Sequence, residues 1–134
     1  METNKRLATA LLFQRLTVFL VMFMWTVDKF LRPEHASSVF ANFYSIEGLG
    51  NLPLYVLGGF ELLLLAGFLL GMKKRITYGL VLVLHGISTV SSFKQYLSPF
   101  EGPNLLFFAA WPMLAACFAL YYLRDQDTLL TLES

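Results

Sequence analysis

Charge is scarce in this chain: Lys, Arg, Asp and Glu make up 14% of its 134 residues, against roughly 25% in ordinary soluble domains. With 57% of residues hydrophobic, this is the composition of a membrane protein, and nucleic acid is excluded as a partner. Cysteine is nearly absent. Cys117 is the single one, which rules out a disulfide framework and an intramembrane dithiol centre within this chain, and it reads as a small core residue. Histidine is limited to His35 and His85, and His35 falls in a polar loop, so two facing histidines for a haem are lacking. No metal site is expected, because Glu61, His85 and Cys117 make no recognisable ligand spacing. Glycine-rich phosphate loops and nucleophile elbows are missing as well.

What is present is four apolar runs, about 9–31, 53–72, 76–97 and 104–123, each close to the roughly 20 residues that a helix needs to cross the hydrocarbon core. The pattern predicts an all-α fold, a single integral-membrane domain over residues 1–134 built as a four-transmembrane-helix bundle. The first run is expected to be a span rather than a signal peptide, since it is long, has no small-residue cleavage site and leads directly into further spans. Basic residues set the orientation. Lys5, Arg6, Arg15, Lys73, Lys74, Arg75 and Arg124 fall on one side, and Lys29, Arg32 and Lys94 on the other. This bias predicts cytoplasmic N and C termini. In the first extracytoplasmic loop, Val39, Phe40, Phe43 and Ile46 recur at helical spacing and predict a short amphipathic helix on the membrane surface. The polar tail from Arg124 is expected to fray.

Ionisable residues inside apolar runs are costly and point to pairing or function. Glu61 and His85 lie almost equally far from the basic cluster Lys73-Lys74-Arg75, so both side chains are expected about 15 to 18 Å from that turn, at one depth near mid-membrane. They are the leading candidates for a ligand or proton site. Either they handle protons for a ligand, or they hydrogen-bond each other or the backbone and hold two helices in register. His85, Ser88, Ser92 and Gln95, with Thr89 beside them, follow steps of three and four and line one helix face, which should point into the bundle. Gly58 lies on the face of Glu61 and would leave room there. Trp111-Pro112 predicts a kink near the middle of the fourth run at a similar depth, which adds Trp111 to the candidates. Arg15 is expected to snorkel to cytoplasmic headgroups. Asp28 is too short for that and is expected to form an ion pair with Lys94 at the outer end.

In this order and at these spacings, Arg15, Asp28-Lys29-Phe30-Leu31-Arg32-Pro33, Gly59-Phe60-Glu61, Leu70-Gly71 followed by Arg75, and a polar third helix resemble the DoxX-like family of small four-span bacterial membrane proteins. Asp28 stands where the family commonly has a small residue, and the glycine-rich ending after helix four is missing. The resemblance implies a multi-pass protein of the bacterial inner membrane. It further implies a membrane subunit or accessory of a quinone-linked redox system, more a non-catalytic subunit than an enzyme alone, with a quinone as the implied lipophilic ligand. Its implied partners are the bilayer and a second protein or further copies of itself. A ligand-free scaffold or assembly protein, or a small oligomeric transporter, are the alternatives.

Overall fold

A computed structural model of the chain describes residues 3–32, 34, 38, 41 and 51–132. Among the described residues every element is helical. α1 covers Thr3–Leu31, α2 Asn51–Leu69, α3 Lys74–Ser91, the short α4 Phe93–Leu97 and α5 Ala110–Tyr122, with 3-10 segments at Asn104–Ala109 and Arg124–Gln126. α1 and α3 each pack on both α2 and α5, so the four long helices close a ring with α1 and α3 on the diagonal.

The helices end for local reasons. Pro33 disfavours the helical conformation at Arg32, and α1 stops at Leu31 with a last bond from the Arg32 N–H to the Asp28 carbonyl, 2.8 Å. α2 closes in a Schellman turn, in which Met72 N–H donates to the Gly67 carbonyl (2.8 Å) and Gly71 N–H to that of Phe68 (3.1 Å). Gly71 has φ +68° there, a left-handed conformation that glycine adopts without cost. α3 starts three residues later, which makes α2 and α3 antiparallel neighbours.

The core gathers Leu11, Val18 and Met22 of α1, Leu64, Leu65 and Phe68 of α2, Tyr78 and Val81 of α3, and Cys117 and Leu120 of α5. Cys117 is a small buried core residue, in keeping with its sequence reading. Large apolar side chains also point outward, among them Phe13, Leu20, Met24, Leu63, Val83, Val90 and Phe118. Two helices, Thr3–Asp28 with 26 residues and Asn104–Tyr122 with 19, are long and apolar enough to cross a membrane. Only 28% and 11% of their most apolar windows are buried within the protein, whereas the core helix of a soluble domain would be mostly covered.

The four expected runs therefore become helices with different credentials. The apolar stretch of α2, Tyr55–Leu69, is shorter than a span. α3 opens on Lys74 and breaks at Ser92 instead of continuing to residue 97. The fourth run is not an α-helix kinked at mid-length. Its first third is a 3-10 segment, and Pro112 sits in the first turn of α5, where its missing N–H would have no intrahelical partner. The amphipathic helix expected within residues 36–46 lies outside the described residues, apart from Ser38 and Ala41, which are helical.

The expected frayed tail is instead folded back onto the bundle. Leu132 N–H donates to the Leu70 carbonyl at 2.8 Å, and Asp127 is fully buried. A Cβ on Gly71 would stand 2.5 Å from Thr131 Cγ2, so the tail and the α2–α3 turn touch at a position that only glycine can occupy without a shift.

Candidate functional site

The buried residues of α3, Lys74, Thr77, Tyr78, Val81, His85 and Thr89, recur mainly at steps of three and four, so one face of the helix points inward along its length. His85 is 1% exposed. Its Nε2 lies 3.0 Å from the carbonyl oxygen of Ala110 at the start of α5. The indole of Trp25 on α1 stacks on the imidazole, with ring centroids 6.3 Å apart and planes 30° apart. A carbonyl can only accept, so Nε2 carries a hydrogen and Nδ1 of the neutral ring keeps its lone pair. That Nδ1 is buried without a hydrogen-bond partner among the described residues, a state that costs about 1–3 kcal/mol.

Glu61 on α2 is half-buried. Thr26 Oγ1 stands 2.9 Å from Glu61 Oε2 and 2.8 Å from the Met22 carbonyl, and its one hydrogen serves either acceptor in turn. Glu61 and His85 thus meet α1 at consecutive residues, Thr26 and Trp25, which puts them at one level of the bundle. They do not hydrogen-bond each other, because His85 directs Nε2 to Ala110 and Nδ1 is unbonded. The room expected beside Glu61 at Gly58 is filled by Phe30. A Cβ on Gly58 would lie 2.7 Å from Phe30 Cε2, and the Phe30 ring stacks on Tyr55 with centroids 5.6 Å apart.

In the rest of the polar stripe Gln95 Oε1 is buried without a partner among the described residues, and the hydroxyls of Thr89 and Ser92 are committed. Thr89 Oγ1 donates to the His85 carbonyl (2.8 Å) and Ser92 Oγ to that of Ser88 (3.3 Å). Hydroxyls that bond their own helix in this way do not form a relay to His85. Trp111 is 47% exposed and packs on Tyr96 with centroids 5.3 Å apart. The indole over His85 is Trp25. Sequence reasoning passed over Trp25 and Thr26, although the buried positions Leu11, Arg15, Val18, Met22 and Thr26 follow steps of three and four that mark Thr26 as inward.

At the C-terminal end of α1, Asp28 Oδ1 accepts from Arg32 Nε at 2.6 Å. The expected ion pair of Asp28 with Lys94 is absent among the described residues. Arg32 is four positions on, just past the end of α1, whereas Lys94 sits exposed on α4, beyond the break at Ser92.

A second constellation lies at the opposite end, and the reading of Arg15 as a snorkelling anchor is corrected there. Arg15 is 0% exposed. Its Nη1 donates to Asp127 Oδ1 at 2.6 Å and its Nη2 to the Leu129 carbonyl at 2.7 Å. Tyr78 Oη donates to Asp127 Oδ2 at 2.5 Å. Lys74 Nζ donates to the Asp127 carbonyl at 2.5 Å and to that of Arg124 at 3.2 Å. Arg15, Lys74 and the tail therefore lie at one level.

No family model, curated protein or solved structure matches this chain.

The two constellations differ in chemical capacity. Around Asp127, both carboxylate oxygens are bonded to side chains and the surrounding cations also hold tail carbonyls, which makes a structural network. Around His85, a lone pair is held beside an indole face with its proton fixed on the far nitrogen. That arrangement can accept a hydrogen from a hydroxyl and stack against a flat ring. Among the described residues no group of His, Cys, Asp and Glu is placed to hold a metal ion.

Proposed function

We propose that the chain is a multi-pass protein of the bacterial inner membrane, DoxX-like in kind, that receives a lipophilic ligand of the quinone class at His85. In this reading it serves a quinone-linked redox system as a membrane subunit or accessory, in company with a partner protein or further copies of itself. The observation that carries the reading is the buried, unpartnered Nδ1 of His85 beneath the half-exposed Trp25.

The membrane part rests on the two long apolar helices, the outward-facing apolar side chains and the basic bias toward one side. From the level shared by Arg15 and Lys74, α1 runs 16 residues to Leu31 and α3 17 to Ser91, and α2 covers 19 residues, about 24 to 28 Å at 1.5 Å per residue; α5 covers 13 and is extended by the six-residue 3-10 segment before it. Those lengths are close to the hydrocarbon thickness and support a reading in which the four long helices cross together, while the basic bias supports cytoplasmic termini.

A bound quinone or quinol would supply two-electron, two-proton redox chemistry. Neutral His85 offers Nδ1 to a hydroxyl hydrogen, and the Ala110 carbonyl fixes the ring so that the lone pair stays aimed away from α5. Trp25 forms the aromatic wall on the lipid side and excludes water from the imidazole. Glu61, held at the same level by Thr26, is a second group able to hold a proton. A ligand-free scaffold is the second reading, favoured by these same two bonds, which fasten α1 to α2 and α3 to α5.

Mass spectrometry of small molecules that co-purify in mild detergent separates the readings. A quinone present in wild type and lost in His85→Ala, with the helical circular dichroism kept, supports the ligand site. Absence of any such molecule, with lower melting temperatures in both Glu61→Gln and His85→Ala, supports the scaffold. Solute flux into liposomes that disappears with Glu61→Gln would instead mark a small oligomeric transporter.

A further inference from the structure

On the outer face of the α3–α5 pair, Ile76, Gly79, Leu80, Val83 and Tyr121 line an open apolar groove of about 490 Å³ that ends at Arg75. Gly79 shapes it, since an added Cβ would stand 3.3 Å from Tyr121 Cε1. Two arginines stand by the groove. Arg75 is exposed in the first turn of α3, and the Arg124 guanidinium lies 4.5 Å from the Tyr121 ring centroid. The Lys74–Arg124 bond of 3.2 Å ties the start of α3 to the end of α5. Asp127 is turned inward to Arg15, Asp125 beside Arg124 is exposed and outside the lining, and Arg75 is the charged residue of the groove lining. The groove is separate from the His85 site, since Arg75 and His85 are ten positions apart on α3, about 15 Å along the axis.

We propose that this groove binds one anionic phospholipid, with an acyl chain along Ile76–Val83 and the phosphate at Arg75 and Arg124. The inference rests on the membrane reading above, because an acyl chain reaches the α3–α5 face only from a bilayer. Charge complementarity selects the occupant. An open apolar groove with Arg75 in its lining and Arg124 over its Tyr121 ring matches a chain that carries a single anionic head, and basic pockets between helices at the cytoplasmic side are suited to such headgroups. A soluble anion would make no use of the apolar length.

Native mass spectrometry of the full chain in mild detergent, offered phosphatidylglycerol or phosphatidylcholine with identical acyl chains, reads the preference. The expected result is phosphatidylglycerol retained about fivefold over phosphatidylcholine, the size of one basic side chain at a membrane surface. The preference falls to parity in Arg75→Gln with Arg124→Gln and is unchanged in Arg6→Gln on α1. Gly79→Leu, which fills the groove, reduces retention of both lipids. Equal retention of the two lipids by wild type, or a preference that survives the double arginine variant with circular dichroism intact, overturns the proposal. Flotation with phosphatidylcholine vesicles separates the two claims. A chain that does not float contradicts the membrane reading, and one that floats without lipid preference contradicts the lipid site alone.

Discussion

Asp127→Asn would leave the Arg15 guanidinium fully buried with no anion beside it, and Tyr78 would face an amide. Removing one partner of a buried pair costs about 3–5 kcal/mol, whereas replacing both by apolar residues of similar volume is often neutral. Tyr78→Phe is added to Arg15→Met/Asp127→Leu so that no hydroxyl is left without its acceptor, and the expected order of stability is wild type, then this triple variant, with Asp127→Asn lowest, in unfolding followed by circular dichroism in detergent. Equal loss in the single and triple variants would show that the pair itself, not relief of a lone charge, sets stability here. This partnership was not legible in the sequence. The two residues are 112 positions apart, and the tail that carries Asp127 is polar and short, with none of the apolar periodicity that marks a packed segment. The cue that did exist was the need of an arginine within an apolar run for a counter-charge, with few acidic residues near the basic clusters to supply it. His85 was legible as a polar position on an inward face. Its neighbours Trp25 and Ala110 were not, since they come from other helices, and neither was Phe30 as the occupant of the space at Gly58.

The elements follow the apolar runs closely in number and order, because each run is long enough for burial to favour a helix. Their boundaries depart where backbone chemistry intervenes. Gly71 and Lys73, at φ +68° and +49°, terminate one helix and start the next. Pro112 is accommodated in a first turn rather than by a kink. The tail is an element in its own right, clamped by Arg15 and Lys74 and seated on Gly71. A chain ending at Leu123 is expected to lose about as much stability as Asp127→Asn, about 3–5 kcal/mol, since it also leaves Arg15 without its anion. Gly71→Ala tests the seating. In the full chain the new methyl meets Thr131 and the left-handed backbone, costing about 1–3 kcal/mol for overpacking and about 1 kcal/mol for the backbone. In the truncated chain only the backbone part is expected. The same melting-temperature decrease in both backgrounds would show that the tail does not press on Gly71.

For the whole molecule, composition and run length alone were enough to indicate an all-helical chain with membrane-compatible helices. Closure of the ring α1–α2–α3–α5 needed the contacts themselves. The two ends of that ring are chemically different. The tail end is locked by an ionic network that uses charge for structure, although Arg15 Nε has no partner among the described residues, while the level of Thr26, Glu61 and His85 keeps a buried acceptor, His85 Nδ1, unsatisfied. Ligand binding at that nitrogen is the central claim, and Trp25, stacked on His85, is the reporter closest to it. The chain has two tryptophans, so Trp111→Phe makes Trp25 the sole emitter. Titration of this variant with a short-chain quinone in detergent is expected to quench Trp25 fluorescence along a saturable curve, and His85→Ala in the same background to remove the saturable part with helical content kept. Quenching that rises linearly with quinone concentration and is identical with and without His85 would contradict a ligand site at His85.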